Sequence, residues 1–164
     1  MPVARVYVSL GSNIERRRHI RHALEHLDKR YGPLTLSGVY ESDAVGFDSD
    51  PFYNLVAGFD TDESPRQIQD VLHAIESGSG RLRSGELAAR TLDLDLLLYN
   101  DAVINEPGLV LPRDDITRYA FVLRPLAEIA GNERHPVSGE SFAEMWAAFD
   151  ADSQPMKQVD WPPA

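Results

Sequence analysis

The chain has 164 residues with ordinary apolar (43%) and charged (26%) content, which favours one soluble globular domain with a sizeable core. Its formal net charge of −10 argues against general nucleic-acid binding. The lack of cysteine excludes disulfides and thiolate metal sites. No apolar run approaches the roughly 18 residues of a membrane span, and no signal-peptide pattern opens the chain. We therefore expect a cytoplasmic monomer without a nucleic-acid or membrane partner.

The first 60 residues combine strand and helix patterns. Residues 4–10 alternate and are rich in β-formers, which predicts a strand. Ser12 and Glu15 have capping-box spacing before a helix with regularly spaced apolar residues, which Gly32-Pro33 ends. Residues 34–42 and 52–60 are predicted strands, joined by a loop over 44–51.

The next segment completes a recognisable order. Ser64-Pro65-Arg66-Gln67 supplies an N-cap, a proline at the first helical position and a capping-box glutamine, and Gly78 ends the helix that follows. A loop over 78–89 leads into a strand over 90–99. The order β-α-β-β-α-β is the ferredoxin-like arrangement, so we expect an α+β sandwich.

A C-terminal extension follows this unit. The patterns predict a hairpin of 102–105 with 109–111, a helical turn at Asp114-Asp115 and an extended piece over 119–125. A capping box at Ser141 and Glu144 begins a last helix that runs to about residue 149. Residues 1–150 are thus expected to form a single domain, and the polar, Pro-rich residues 151–164 to form a mobile tail.

The strand over 90–99 carries the main chemical signal. Alternation places Leu92, Leu94, Leu96 and Leu98 on one buried face, and Thr91, Asp93, Asp95, Leu97 and Tyr99 on the other. Two carboxylates about 6.5–7 Å apart on one sheet face repel each other unless a cation lies between them. Mg²⁺ prefers such oxygen ligands and takes others from substrate phosphates. A strand whose polar face is merely solvated is the alternative.

Arginines near this strand suit an anionic substrate. Three arginines, Arg81, Arg83 and Arg90, lie just before the acids. One guanidinium group can donate two parallel hydrogen bonds to the oxygens of a phosphate. Carboxylates for a metal with arginines for phosphate are typical of a phosphoryl-type transferase. There is no Walker A sequence, because Gly80 is followed by Arg81. A second basic cluster, Arg16, Arg17, Arg18 and Arg21 with nearby histidines, is interpreted as a solvated helix face and left out of the site.

The motif Arg90-Thr91-Leu92-Asp93-Leu94-Asp95, with Leu10-Gly11-Ser12-Asn13 near the start, resembles the 6-hydroxymethyl-7,8-dihydropterin pyrophosphokinases of folate biosynthesis. The similarity extends from about residue 6 to 149. It implies a ferredoxin-like α+β fold. It also implies transfer of pyrophosphate from ATP to the pterin hydroxymethyl group, with release of AMP.

The resemblance implies a role for each matching position. Asp93 and Asp95 would hold two Mg²⁺ ions, and Arg81, Arg90 and Asp95 would be catalytic. The ATP-binding positions would be Glu76, Arg81, Arg83, Arg90 and Arg113. Phe52 and Phe121 would stack on the pterin ring, Asn54 would bond its edge, and the loop from Ser42 to Val45 would contact it. Taken without the resemblance, Phe52 and Phe121 are interpreted as ordinary core.

Three departures from the family pattern keep alternatives open. Arg113 stands where a histidine that contacts ATP is usual, and Tyr119 where an arginine is usual. The loop over 86–89 is one residue shorter and lacks a Trp-Gly-Pro sequence. One alternative is a diverged paralogue that acts on another pterin-like alcohol. The other is a non-catalytic module that binds a pterin or nucleotide.

Overall fold

The computed structural model describes residues 3–42, 51–78 and 92–161. The first unit contains β1 (Ala4–Ser12), α1 (Arg16–Tyr31), β2 (Thr35–Leu36), β3 (Val39–Ser42), β4 (Phe52–Thr61), α2 (Pro65–Gly78) and β5 (Asp93–Tyr99). The extension contains β6 (Ile104–Glu106), β7 (Leu109–Leu111), α3 (Asp115–Arg118), α4 (Ala120–Ala130), α5 (Phe142–Ala148) and β8 (Met156–Val159). Within these ranges, no helix combines the length and apolar character that crossing a bilayer requires.

One antiparallel sheet organises these elements. Its strand order is β5-β1-β4-β3-β8, with β2 also paired to β4, while β6 and β7 form a separate hairpin. Helices α1 and α2 cover one face around Val6, Val8 and Leu10. Helices α4 and α5 cover the other face around Tyr7. The predicted ferredoxin-like α+β fold, with a C-terminal hairpin and short helices, is confirmed.

Two of the three predicted capping boxes are present. At α2, the Ser64 N–H donates to Gln67 Oε1 (2.7 Å), and at α5 the Ser141 and Glu144 bonds are reciprocal. The prediction at α1 is wrong. Ser12 belongs to β1, and Glu15, in a left-handed conformation (φ 42°), precedes the helix without a side-chain cap bond. Pairing of β1 with β4 continues through Ser12, and the helix begins four residues later, so Ser12 does not occupy the N-cap position.

The leucine-rich strand deviates from simple alternation. Tyr7 pairs with Leu98 but Val8 pairs with Leu96, so Leu97 is an extra residue in β5. This bulge reverses the faces of the following residues. Leu98 therefore packs with Leu97 under α4, whereas Tyr99 packs against the α1 side, opposite to the predicted faces. Asp93 and Asp95 precede the bulge and keep their predicted common face.

Two other segments differ from their sequence patterns. The predicted strand over 34–42 is divided into β2 and β3. From Leu36 to Tyr40 this segment advances four residues while its partner β4 advances three, so one extra residue interrupts the pairing. Residues 119–125, predicted to be extended, begin α4 instead. The buried residues Val122, Leu123, Leu126 and Ala130 recur at helical spacing, and this periodicity outweighs the proline and β-branched content.

The C-terminal residues also differ from the expected mobile tail. After a 3₁₀ turn, Ala151–Ser153, strand β8 pairs with β3, and Trp161 is buried in the core, 7% exposed. The Trp161 ring lies 6.0 Å from that of Tyr53, with the guanidinium groups of Arg17 and Arg21 each 5.5 Å from it. The sequence pattern did not predict this contact, because the segment is mostly polar and a single aromatic residue, Trp161, makes it.

Replacing this anchor tests the packing of the C-terminus. Trp161→Ala is expected to lower the free energy of unfolding by about 3 kcal/mol, because it removes a buried aromatic ring. Urea unfolding measures the change, with the exposed Val137→Ala as the matched control. Equal stability of the Trp161 variant and the control variant would show that the tail is not packed.

Candidate active site

The candidate site begins with the register of three strands. Gly11 in β1 lies opposite Asn54 in β4 on one side and Asp93 in β5 on the other. Ser9, two residues earlier, lies opposite Asp95. Residues paired across a sheet share a face. The β1 pairing thus places an amide and two carboxylates side by side on the face that carries α4.

A cavity of about 240 Å³ lies over this face. It is lined by Ser9, Leu10, Gly11, Ser42, Phe52, Asn54, Asp93, Asp95, Asp115, Tyr119, Phe121 and Val122. Predicted metal-binding and pterin-binding residues therefore line one continuous cavity, although they come from four separate parts of the chain. A solvated polar strand face would not require this arrangement.

One end of the cavity is aromatic and amide-lined. Asn54 is buried, and its Nδ2 donates to Ser42 Oγ (2.8 Å), which fixes the orientation of the amide. A Cβ atom on Gly11 would lie 3.0 Å from Asn54 Oδ1, so a glycine keeps the amide uncrowded. Phe121 stacks on Tyr119, with ring centroids 4.9 Å apart. This end presents flat apolar faces next to an oriented donor and acceptor.

The other end carries charge. The Arg113 guanidinium lies 3.4 Å from Asp95 Oδ1 and 3.3 Å from Asp115 Oδ2. The Arg113 backbone N–H donates to the carbonyl of the bulged Leu97 (3.1 Å), so the irregularity in β5 also places this arginine. Both carboxylates are partly exposed, which permits an ion or a substrate to reach them. Oxygen donors beside a guanidinium suit a metal-bound phosphate.

Helix α4, which supplies Phe121, is joined to β3 by a polar contact. Glu128 accepts hydrogen bonds from the Tyr40 hydroxyl (2.7 Å) and from the Gly38 N–H (3.0 Å). Burial, together with the bond to Glu128, raises the pKa of Tyr40 to about 12. The phenol therefore stays protonated and donating at neutral pH, which holds the two walls of the cavity together.

Glu76 lies outside the cavity lining and contacts the edge strand of the sheet. Its Oε2 accepts a hydrogen bond from the Leu94 N–H (2.7 Å), in the residue between Asp93 and Asp95. Glu76 is buried on α2. The observed contact therefore fixes the backbone that carries both acids, and contact with a nucleotide stays a prediction.

Four of the predicted site residues lie outside the described part of the chain: Val45, Arg81, Arg83 and Arg90. Sequence reasoning assigned no role to Asp115, whose signal was only a helix-capping position, and treated Tyr119 only as a departure. Among the residues described, no group of three or more His, Asp or Glu side chains is arranged to hold a metal.

Comparison of folds gives the class. The chain superimposes on the crystal structure of wild-type Plasmodium falciparum HPPK-DHPS with pterin and p-hydroxybenzoate with a TM-score of 0.71. The match covers 89% of this chain and 43% of that chain at 15% identity. A pteroate complex of a triple mutant of the same protein also has a TM-score of 0.71, over 89% of this chain. The chain thus shares the fold of the matched part of these proteins.

Sequence comparison identifies the family. The 7,8-dihydro-6-hydroxymethylpterin-pyrophosphokinase (HPPK) family matches residues 7–131. The 2-amino-4-hydroxy-6-hydroxymethyldihydropteridine pyrophosphokinase of Pseudomonas aeruginosa is 39% identical over 150 residues, which are 89% of this chain and 92% of that protein. The Bacillus subtilis enzyme of the same name is 35% identical over 84% of this chain and 86% of its own length. The chain therefore belongs to the HPPK family.

Other relatives are much longer. The folic acid synthesis protein fol1 of Pneumocystis carinii is 36% identical over 92% of this chain, but the match covers only 21% of that protein. The chain thus spans about a fifth of that relative.

The Glu76 contact has a measurable consequence. Glu76→Ala should lower the free energy of unfolding by about 1–3 kcal/mol, because the buried Leu94 N–H loses its acceptor. Glu76→Gln keeps an acceptor oxygen and should recover much of that loss. Chemical denaturation of the three proteins measures the difference. Identical unfolding energies for the alanine and glutamine variants would contradict this role.

Proposed function

We propose that this chain transfers the β,γ-pyrophosphate of ATP to the hydroxymethyl group of 6-hydroxymethyl-7,8-dihydropterin, releasing AMP, in folate biosynthesis. Membership of the HPPK family supports this reaction. The observation that carries it is the cavity itself: Asp93 and Asp95 share a sheet face with Phe52 and Asn54, and Phe121 of α4 lines the same cavity. Such an arrangement can bind a triphosphate next to a flat heterocycle.

The aromatic end suits the pterin. Phe52 and Phe121 would contact the ring through their faces, since offset stacking and burial favour aromatic pairs. Asn54 would form hydrogen bonds to the polar edge of the ring through its amide NH₂ group and carbonyl oxygen. Ser42 would hold this amide in place. These side chains would orient the hydroxymethyl group toward the acids, which reduces the entropic cost of the reaction.

The charged end suits the triphosphate. Asp93 and Asp95 would hold two Mg²⁺ ions, whose remaining ligands would be phosphate and water oxygens. Bound Mg²⁺ would supply neutralisation of the phosphate charge. Arg113, now paired with Asp95 and Asp115, is close enough to exchange one of these carboxylates for a phosphate oxygen. Arg81, Arg83 and Arg90 complete the proposed set of phosphate-binding residues.

The reaction follows from this placement. The hydroxymethyl oxygen forms a bond to the β-phosphorus as the bond from that phosphorus to the α-phosphate oxygen breaks, so AMP leaves and the hydroxyl proton is released to solvent. Arg81 and Arg90 would stabilise the charge on the transferred group, and no covalent enzyme intermediate is needed. The cytoplasmic location, the monomeric state and the lack of nucleic-acid and membrane partners stay predictions from the sequence.

Neutralising one acid tests the proposal. Asp95→Asn should reduce AMP formation by at least about a hundredfold, because an amide binds Mg²⁺ poorly, while the fold stays intact. The assay combines ATP, Mg²⁺ and 6-hydroxymethyl-7,8-dihydropterin and quantifies AMP, with circular dichroism to confirm folding. Asp101→Asn, an exposed turn residue, is the matched control and should retain normal turnover. Normal turnover of the Asp95 variant would exclude the metal-binding role.

A further inference from the structure

Arg16, at the start of α1, makes contacts that a solvated arginine does not make. Its Nη1 donates to Glu41 Oε2 (3.0 Å) and to the Pro51 carbonyl (3.0 Å). Its guanidinium carbon lies 3.9 Å from the centroid of the Tyr53 ring. Only 27% of the Arg16 side chain and 24% of the Glu41 side chain are exposed. An ion pair, a bond to the backbone and a cation–π contact thus converge on one half-buried group.

The partners of Arg16 adjoin the aromatic end of the cavity. Glu41 precedes Ser42, and Pro51 precedes Phe52, and Ser42 and Phe52 are paired across β3 and β4. Because side chains alternate along a strand, Glu41 and Tyr53 lie on the face opposite the cavity, while Ser42, Phe52 and Asn54 face it. Arg16 therefore contacts, on the opposite face of the sheet, the strand ends that form one wall of the cavity.

The geometry requires arginine in particular. One guanidinium group is planar, stacks on an aromatic ring and donates in its plane to several acceptors at once. A lysine at this position would retain its charge near Glu41 but would lose the planar stacking on Tyr53. Arg18 differs from Arg16 in this respect, because its ion pair with Glu15 lies at the surface, with side-chain exposures of 68% and 58%.

We propose that Arg16 is a positioning residue for the pterin subsite: it fixes Ser42 and Phe52 by joining Glu41 to the Pro51 backbone across the ends of β3 and β4. This inference rests on the proposed function. Arg16 contacts β3 and β4 on the face opposite the cavity, whereas Asp93 and Asp95 lie on the cavity face of β5, so we expect the nucleotide half of the cavity to depend less on it. A loss of Arg16 therefore affects the two substrates unequally.

The experiment measures the two substrates separately by calorimetry. Arg16→Ala should weaken binding of 6-hydroxymethyl-7,8-dihydropterin about tenfold, equivalent to about 1.4 kcal/mol. Its affinity for a non-hydrolysable ATP analogue with Mg²⁺ should stay within about twofold of wild type, as expected for an independent distant site. Arg16→Lys should give an intermediate pterin affinity, and Arg18→Ala, the matched control on the same helix, should match wild type for both ligands.

The outcomes separate this inference from the proposed function. Wild-type pterin affinity in both Arg16 variants, or equal losses for pterin and nucleotide, would overturn the positioning role while the function stands. Failure of the wild-type protein to bind pterin would overturn the function and the inference with it. If Arg16→Ala does not fold, Arg16→Lys and Glu41→Gln give the same comparison, and unchanged pterin binding in both would overturn the role.

Discussion

The site depends on the pairing of β1 with its two neighbours at Gly11. This residue has no side chain, and it lies between Asn54 on one strand and Asp93 on the other. A shift of one residue in either pairing would turn the amide or the carboxylates to the opposite face of the sheet, because side chains alternate along a strand. Register therefore decides whether the two halves of the cavity meet.

The rest of the structure holds this register and closes the cavity around it. Glu76 bonds the backbone between the two acids from the α1–α2 side of the sheet, and Glu128 joins α4 to β3 on the other side. The bulge at Leu97 provides the carbonyl that places Arg113 beside Asp95. The Glu76 contact is buried and specifies one arrangement, because a Leu94 N–H left without its acceptor would be costly.

Local sequence patterns predicted much of this fold. The β-α-β-β-α-β order, the capping boxes at Ser64 and Ser141 and the common face of Asp93 and Asp95 all follow from spacing or capping chemistry within a few residues. The bulge at Leu97 does not, since it arises from pairing with β1 across the sheet. The burial of Trp161 likewise depends on tertiary packing. The helix over 120–130 does have a local signal in the spacing of its apolar residues, but its proline and β-branched content favoured an extended segment instead.

The site was predictable only in part for the same reason. Two acids at alternate positions predicted metal chemistry, whereas the proposed pterin-binding positions came from resemblance to the HPPK family and not from any property of Phe52 or Phe121 alone. Arg16 was interpreted as part of a solvated helix face, because its charge pattern gives no sign of Glu41, Pro51 or Tyr53. Such contacts between distant segments require a structure.

The most direct measurement of the central claim is the pterin affinity of Gly11→Ala, determined by calorimetry. The added methyl group would lie 3.0 Å from Asn54 Oδ1, so the amide must move. The account predicts pterin binding about tenfold weaker, or about 1.4 kcal/mol, in a folded protein. Gly58→Ala, which crowds Tyr7 instead of the cavity, is the control and should affect stability and not pterin affinity. Unchanged pterin binding in a folded Gly11→Ala protein would contradict the claim that this register forms the binding site.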